Sequence, residues 1–279
     1  IQNNTVIERP ANQNTITRRY SEETVRFIKN NKDQPFFIYL AHNLPHVPLF
    51  ASKEALGKSA RGLYGDVVEE IDQGIGTILK ALKEEGLDKN TLVVFTSDNG
   101  PWTVFKEQGG SAGPLFAGKG TTWEGGMRVP TVFWAPGRIA PGIVNQIGST
   151  LDLYHTFSTI AGVPLPKDRT LDSHDLGPLL FEKQKASRDH FLYYRGTQLY
   201  AARLGAYKAH FITQGEYGQF GDKKTHDPPL LYNLNHDPSE QFNIAETHPE
   251  VLKNIESLVT EHKKNMVPGP DQLKDRGVK

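Results

Sequence analysis

The strongest constraint in this 279-residue chain is the order of its hydrophobic patterns. Pro35–Ala41, PFFIYLA, is a continuous aromatic and aliphatic run. Leu63–Glu85 then carries Val67, Val68, Ile71, Ile75, Ile78, Leu79 and Leu82, and Thr91–Thr96, TLVVFT, is continuously apolar again. Runs without alternation suit strands buried on both faces, whereas spacings of three and four mark one face of a helix. Strand, helix and strand in this order predict a right-handed βαβ unit, and hence an α/β fold with a parallel sheet. Gly86 stands where the residue just past a helix end belongs.

The remaining elements follow from the same periodicities. Ser21–Asn30 predicts an early helix capped by Ser21, Arg128–Ala135 a further strand and Ser149–Ala161 a helix. The composition changes after about Lys185. His190–Tyr194, Leu199–Leu204, Lys208–Thr213 and Leu230–Leu234 are short alternating or aromatic segments that predict antiparallel strands. Pro249–Asn265 predicts a closing helix with Val251, Leu252, Ile255, Leu258 and Val259 as its apolar stripe. The expected organisation is a large α/β portion over 1–185 and a small α+β portion over 186–279.

Composition excludes several function classes. Lysine plus arginine number 32 and aspartate plus glutamate 32, so the net charge is zero and a basic nucleic-acid binder is excluded. A hydrophobic fraction of 37% supports a sizeable core. With no cysteine, these residues supply no disulfide, thiolate metal site or cysteine nucleophile. No apolar stretch is long enough to span a bilayer. Ile1–Asn14 is polar and lacks the basic-then-apolar order of a signal peptide, so it is expected to be a linker cut from something longer.

Ligands of open parallel sheets bind beyond the carboxyl ends of the strands, where two segments place polar residues; a third candidate is a glycine-flanked lysine. Ser97-Asp98-Asn99-Gly100 follows TLVVFT and reads either as a hard-oxygen corner for calcium or magnesium, or as an ordinary Asx-turn. His42-Asn43-Leu44-Pro45-His46-Val47-Pro48 follows PFFIYLA. Its prolines argue against a helical zinc pair, and a rigidly held histidine there suits an acid or an anion ligand, the alternative being a solvated loop residue. Gly118-Lys119-Gly120-Thr121-Thr122 is not a Walker A motif, but a lysine between glycines approaches an oxyanion closely; otherwise it is a surface lysine. Trp102 and Trp123 are expected to wall a pocket, and Trp134 to lie in the core.

Taken together, PFFIYLAHNLPHVPLF (35–50), YGDVVEEIDQGIGTIL (64–79), LVVFTSDNGPW (92–102) and EQGGSAGPLFAGKGTTWEGGMRVP (107–130) resemble the sulfatase family. The resemblance is strongest to its arylsulfatase A and N-acetylgalactosamine-6-sulfatase branch. RGTQLYAARLGAYKAHFIT (195–213) and LLYNLNHDPSEQFNIA (230–245) resemble that branch's C-terminal domain. The resemblance implies part of an alkaline-phosphatase-like, mostly parallel sheet flanked by helices, then a small α+β domain with an antiparallel sheet and a helix. It implies that Asp98 and Asn99 ligate calcium, with magnesium as the alternative cation. It further implies that His46 and Lys119 contact the sulfate and are catalytic, His46 protonating the leaving oxygen. The implied reaction is hydrolysis of aryl or sugar sulfate esters, the partner being a sulfated small molecule or glycan. By analogy, Gln214–Asp227 is expected to select substrate. Export to a periplasm, the exterior or a lysosome is also implied, and oligomerisation is left open.

The family's C/S-x-P-S-R motif, whose cysteine or serine becomes formylglycine, does not occur in these residues; Ser187-Arg188 is a poor substitute. The chain is therefore expected to be the C-terminal part of a sulfatase and to show no turnover alone. A non-catalytic sulfated-glycan-binding remnant and a phosphodiesterase of the same superfamily are the competing expectations.

Overall fold

The computed structural model describes residues 1–267 and Gly269; the remainder of the expected 186–279 portion lies outside the described residues. The chain divides into two compact units, Ile1–Val94 with Phe105–Gly110 and Phe133–Arg138, and Phe95–Val104 with Ser111–Val132 and Ile139–Lys279.

In the first unit, α1 (Ile16–Asn30) packs on α2 (Gly62–Glu84). The buried face of α1 is Thr17, Ser21, Thr24 and Ile28, so the helix begins a turn earlier than its apolar residues suggest. Ser21 does not cap it. Its hydroxyl donates to the Thr17 carbonyl, and its small side chain faces Gly74 of α2, where an added Cβ would lie 2.2 Å from Ser21 Oγ. Val67 and Ile71 of α2 cover a second cluster with Leu44, Leu49, Ala51 and Ala55. Asp66 accepts the backbone N–H groups of Gly57, Lys58 and Ser59, which holds its carboxyl below the usual range. Beyond α2, Gly86 N–H donates to Lys83 O and Leu87 N–H to Leu82 O, the Schellman closure expected of a glycine there.

One expected strand is corrected. Pro35–Ala41 is extended, but it joins no ladder among the described residues, and Phe37 and Tyr39 are 69% and 84% exposed. Strand identity depends on hydrogen bonds to neighbours, which an apolar run does not supply by itself. The strands from 91–96 and 128–135 shorten to β1 (Val93–Phe95) and β2 (Val132–Trp134), which form a two-stranded sheet.

In the second unit, β3 (His190–Arg195), β4 (Gln198–Leu204), β5 (Tyr207–Thr213) and β6 (Lys224–Asn233) form an antiparallel meander in that order. β6 starts six residues before the expected Leu230, because Lys224 and Thr225 pair with Thr213 and Ile212. As an edge strand it tolerates Pro228 and Pro229, which have no N–H to donate. One sheet face, Leu199, Ala202, Ala209 and Leu231, packs on Leu252, Ile255 and Val259 of α6 (Pro249–Asn265). The short helices α3 (Glu124–Met127), α4 (Asp152–Ile160) and α5 (Gly177–Glu182) also belong to this unit. Arg188 forms a buried bidentate pair with Asp152, whose oxygens also accept Ser149 N–H and His174 N–H. Arg188 is therefore a structural residue.

The opposite sheet face carries charge. Lys208 Nζ is fully buried, 2.9 Å from Glu124 Oε1 and 3.1 Å from Glu240 Oε1. Glu240 also accepts His210 Nε2–H at 2.7 Å and the Glu124 backbone N–H at 2.6 Å, while Arg203 lies 3.9 Å from Glu124. Burial opposes the Lys208 charge most strongly, yet the two carboxylates outweigh it and hold the ammonium above its ordinary range. Burial likewise pushes His210 below its usual range despite Glu240, so its ring is neutral. Tyr193, whose ring lies 4.5 Å from Lys208 Nζ, is pushed up to about 12, chiefly by burial.

Removing one member of a buried pair strands the other charge. Lys208→Met should therefore lower unfolding free energy in urea by about 3–5 kcal/mol. A loss below about 1 kcal/mol would show that the carboxylates find other partners. His210 gives a pH signature. The unfolded chain takes up its proton near pH 6.5 and the folded chain resists it, so stability is lost as pH falls below about 6.5. Thermal midpoints should decline less steeply over that range in His210→Gln, which keeps a donor for Glu240; equal slopes would contradict this assignment.

Candidate functional site

The candidate site lies in the second unit, where two loops are joined through their backbones. The first leaves β1 through Thr96, whose hydroxyl meets that of Thr131 at 2.9 Å. Asp98 is exposed at its tip, and Asn99 Nδ2 donates to the Gly100 carbonyl at 2.9 Å, leaving the amide oxygen as the unengaged end of the side chain. Gly100 N–H donates to Gly126 O at 3.0 Å, and an added Cβ on Gly100 would lie 1.8 Å from the Gly125 carbonyl oxygen. Only glycine lets these two backbones approach so closely.

The second loop runs from Phe116 to α3. Lys119 N–H donates to Pro101 O at 2.8 Å and Gly125 N–H to Phe116 O at 2.8 Å, while Thr121 Oγ1 donates to Gly118 O at 2.8 Å. These bonds bring Lys119 beside the loop of Asp98 and Asn99. Its ammonium lies 4.7 Å from the centre of the half-buried Trp102 ring. At α3's first residue, Glu124, the loop is held to the charged sheet face.

Of the four expected site residues, the structure brings Asp98, Asn99 and Lys119 together, and His46 belongs to the first unit. There Leu44 and Leu49 are buried anchors, and the intervening non-helical segment leaves His46 exposed. His46 Nδ1 lies 2.7 Å from Val47 O, a carbonyl that can only accept, so Nδ1 is the donor of that hydrogen bond. His42 faces the Tyr20 ring at 5.8 Å, and burial lowers its pKa. Trp123 corrects another expectation. It is 7% exposed, 4.2 Å from the His210 ring, and packs among Ala117, Tyr232 and Leu234 instead of walling a pocket. Tyr217, 5.1 Å from Trp102, was not singled out from the sequence, nor was the Lys208 cluster. Lys208 and His210, two apart in an otherwise apolar strand, were the available signal.

The donor chemistry at Asp98 and Asn99 fits a hard cation, since both offer oxygen. They make two donors against the six to eight of calcium, and no group of three or more histidine, cysteine or acidic residues suited to a metal occurs among the described residues.

Two family models match the chain, sulfatase over residues 2–163 and the C-terminal region of aryl-sulfatase over 186–278. The chain belongs to the sulfatase family. N-acetylgalactosamine-6-sulfatase of Mus musculus is 40% identical over 293 residues, covering 96% of this chain and 56% of the relative. This sulfatase chain thus spans about half the length of the curated relatives it matches. Among solved structures, the PsFucS1 sulfatase from Pseudoalteromonas sp. superposes with a TM-score of 0.84 at 28% identity, covering 96% of this chain and 57% of that one. Ps i-CgsB in complex with k-i-k-neocarrahexaose gives 0.74 at 31% identity, covering 91% and 56%. The fold is accordingly part of an alkaline-phosphatase-like α/β fold followed by a C-terminal α+β domain. No helix of the described residues is long and apolar enough to cross a membrane.

The tightness of the two-loop contact is testable. Gly100→Ala should destabilise by at least about 1–3 kcal/mol because the obstacle is backbone, whereas Gly76→Ala, in open space on α2, should stabilise by about 0.4–1 kcal/mol. Equal thermal midpoints for the two variants would show that the loops separate easily.

Proposed function

We propose that this chain supplies the sulfate-binding and leaving-group side of a sulfuric ester hydrolase acting on aryl or sugar sulfates. The observation that carries this reading is Lys119, set between glycines on a loop bonded to the Asp98–Asn99 loop. A sulfate ester brings negative charge, and attack at sulfur develops more on the ester oxygen that leaves. The Lys119 ammonium binds sulfate oxygens and strengthens its hold as that charge grows. His46, which belongs to the first unit, takes the role of protonating the leaving oxygen on the family resemblance alone. Asp98 and the Asn99 amide oxygen would hold calcium, with magnesium as the alternative; when bound, the ion supplies further charge neutralisation at the sulfate.

The nucleophile motif is not among these 279 residues, so the chain alone is proposed to bind sulfate without releasing it from an ester. The protein as its gene encodes it should hydrolyse an aryl sulfate, and Lys119→Ala should lower kcat by roughly 100- to 1,000-fold. Asp98→Asn should raise the calcium concentration needed for activity. Undiminished turnover in Lys119→Ala would refute the assignment, and sulfate release by the 279-residue chain itself would refute its dependence on a nucleophile from elsewhere. Sulfate binding without turnover in the gene-encoded protein would favour a sulfated-glycan binder.

A further inference from the structure

Beside Lys119 the chain spends conformational energy on one aromatic ring. Glu216 and Gln219 close a hairpin through paired backbone hydrogen bonds of 3.1 and 2.9 Å, with Tyr217 and Gly218 at its tip. Both tip residues have positive φ, 53° and 74°, the requirement of a type I′ turn. Asparagine or glycine is the favoured first residue of such a turn, and a bulky residue there is a genuine outlier. Strain of this kind persists where the surroundings hold it, and it clusters at binding sites.

The surroundings do hold it. Gln219 accepts the Thr103 hydroxyl at 2.7 Å, Gly215 N–H donates to Gly221 O at 2.8 Å, and Arg195 pairs with Glu216 while donating to Gly215 O. The hairpin also presses on the sulfate loop, since a Cβ on Gly120 would lie 2.5 Å from Glu216 Cγ. Tyr217 is 48% exposed and tilts at 51° against Trp102. That indole is the same ring that lies beneath the Lys119 ammonium, so the cation and the phenol ring share one neighbour.

We propose that Tyr217, backed by Trp102, is the platform on which the sugar ring of a carbohydrate sulfate ester stacks, with the Arg195–Glu216 pair receiving its hydroxyls. This rests on the reading of Lys119 as the sulfate ligand. The choice of a sugar over an aryl group follows from the company Tyr217 keeps. The hairpin that carries the ring also holds a guanidinium, a carboxylate and the Gln219 amide, and these groups complement hydroxyls. A wholly aromatic guest would be better served by an apolar slot.

Tyr217→Asn separates the ring from the fold, because asparagine suits the turn better than tyrosine. In the protein as its gene encodes it, calorimetric binding of galactose 6-sulfate and of inorganic sulfate would be compared. Tyr217→Asn should keep or raise the thermal midpoint and weaken galactose 6-sulfate by roughly three- to tenfold, the scale of one aromatic contact. It should leave inorganic sulfate unchanged, and Tyr217→Phe should bind like the native protein. Sulfate binding that depends on Lys119, together with unaltered galactose 6-sulfate affinity in Tyr217→Asn, would overturn the platform alone. Equal losses for both ligands, or a native protein that prefers inorganic sulfate, would overturn it too. Inorganic sulfate binding indifferent to Lys119→Ala would instead overturn the sulfate reading beneath it.

Discussion

Lys208 is an ammonium with no access to water, and its neutralisation ties distant parts of the chain together. It lies on the sheet face opposite α6, and its two carboxylate partners come from the loop after Lys119 and from the segment after β6. Desolvation alone would expel such a charge, so the cluster forms only when Glu124 and Glu240 are both delivered. Glu240 then does a second task by accepting the Glu124 backbone N–H. The loop of Lys119 is thus fixed at one end by buried charge and at the other by the Lys119 N–H bond to Pro101. A flexible lysine on a mobile loop would lose much of its advantage as an anion ligand, because ordering it on binding has an entropic cost.

Close backbone contact completes what charge begins. Gly100 and Gly125 meet without a Cβ between them, and this lets the oxygen-bearing Asp98–Asn99 corner stand beside the lysine. The hairpin of Tyr217 rests on the same loop at Gly120. The proposed sulfate ligand and the proposed ring platform would therefore share one support. The C-terminal sheet contributes to that support through Lys208, which binds Glu124.

Much of this was legible from local pattern. The stripes of α2 and α6 and the alternation in β3 to β5 appear where the periodicities place them, within a few residues. The start of α1 was missed because its buried face is threonine and serine, which carry no apolar signal. Pro35–Ala41 has a strand's composition but no ladder among the described residues, since pairing is a relation between segments. Asp98, Asn99 and Lys119 stood out by composition and position, and only three dimensions showed that their two loops are joined through the backbone. Tyr217 did not stand out, because a tyrosine in a glycine-rich loop is unremarkable until its φ and its neighbour are known.

The amino-acid sequence by itself determined the helical and strand periodicities, the zero net charge, the lack of cysteine among these 279 residues and the family to which the chain belongs. These are local or additive properties, set by residue type and near spacing. Tertiary structure alone decided that Lys208 meets Glu124 across 84 positions and that Glu240 meets the same loop across 116. It also decided that Trp123 is core while Trp102 lies beneath the Lys119 ammonium. Burial and charge neutralisation depend on everything packed around a group, and no spacing rule within one segment encodes them.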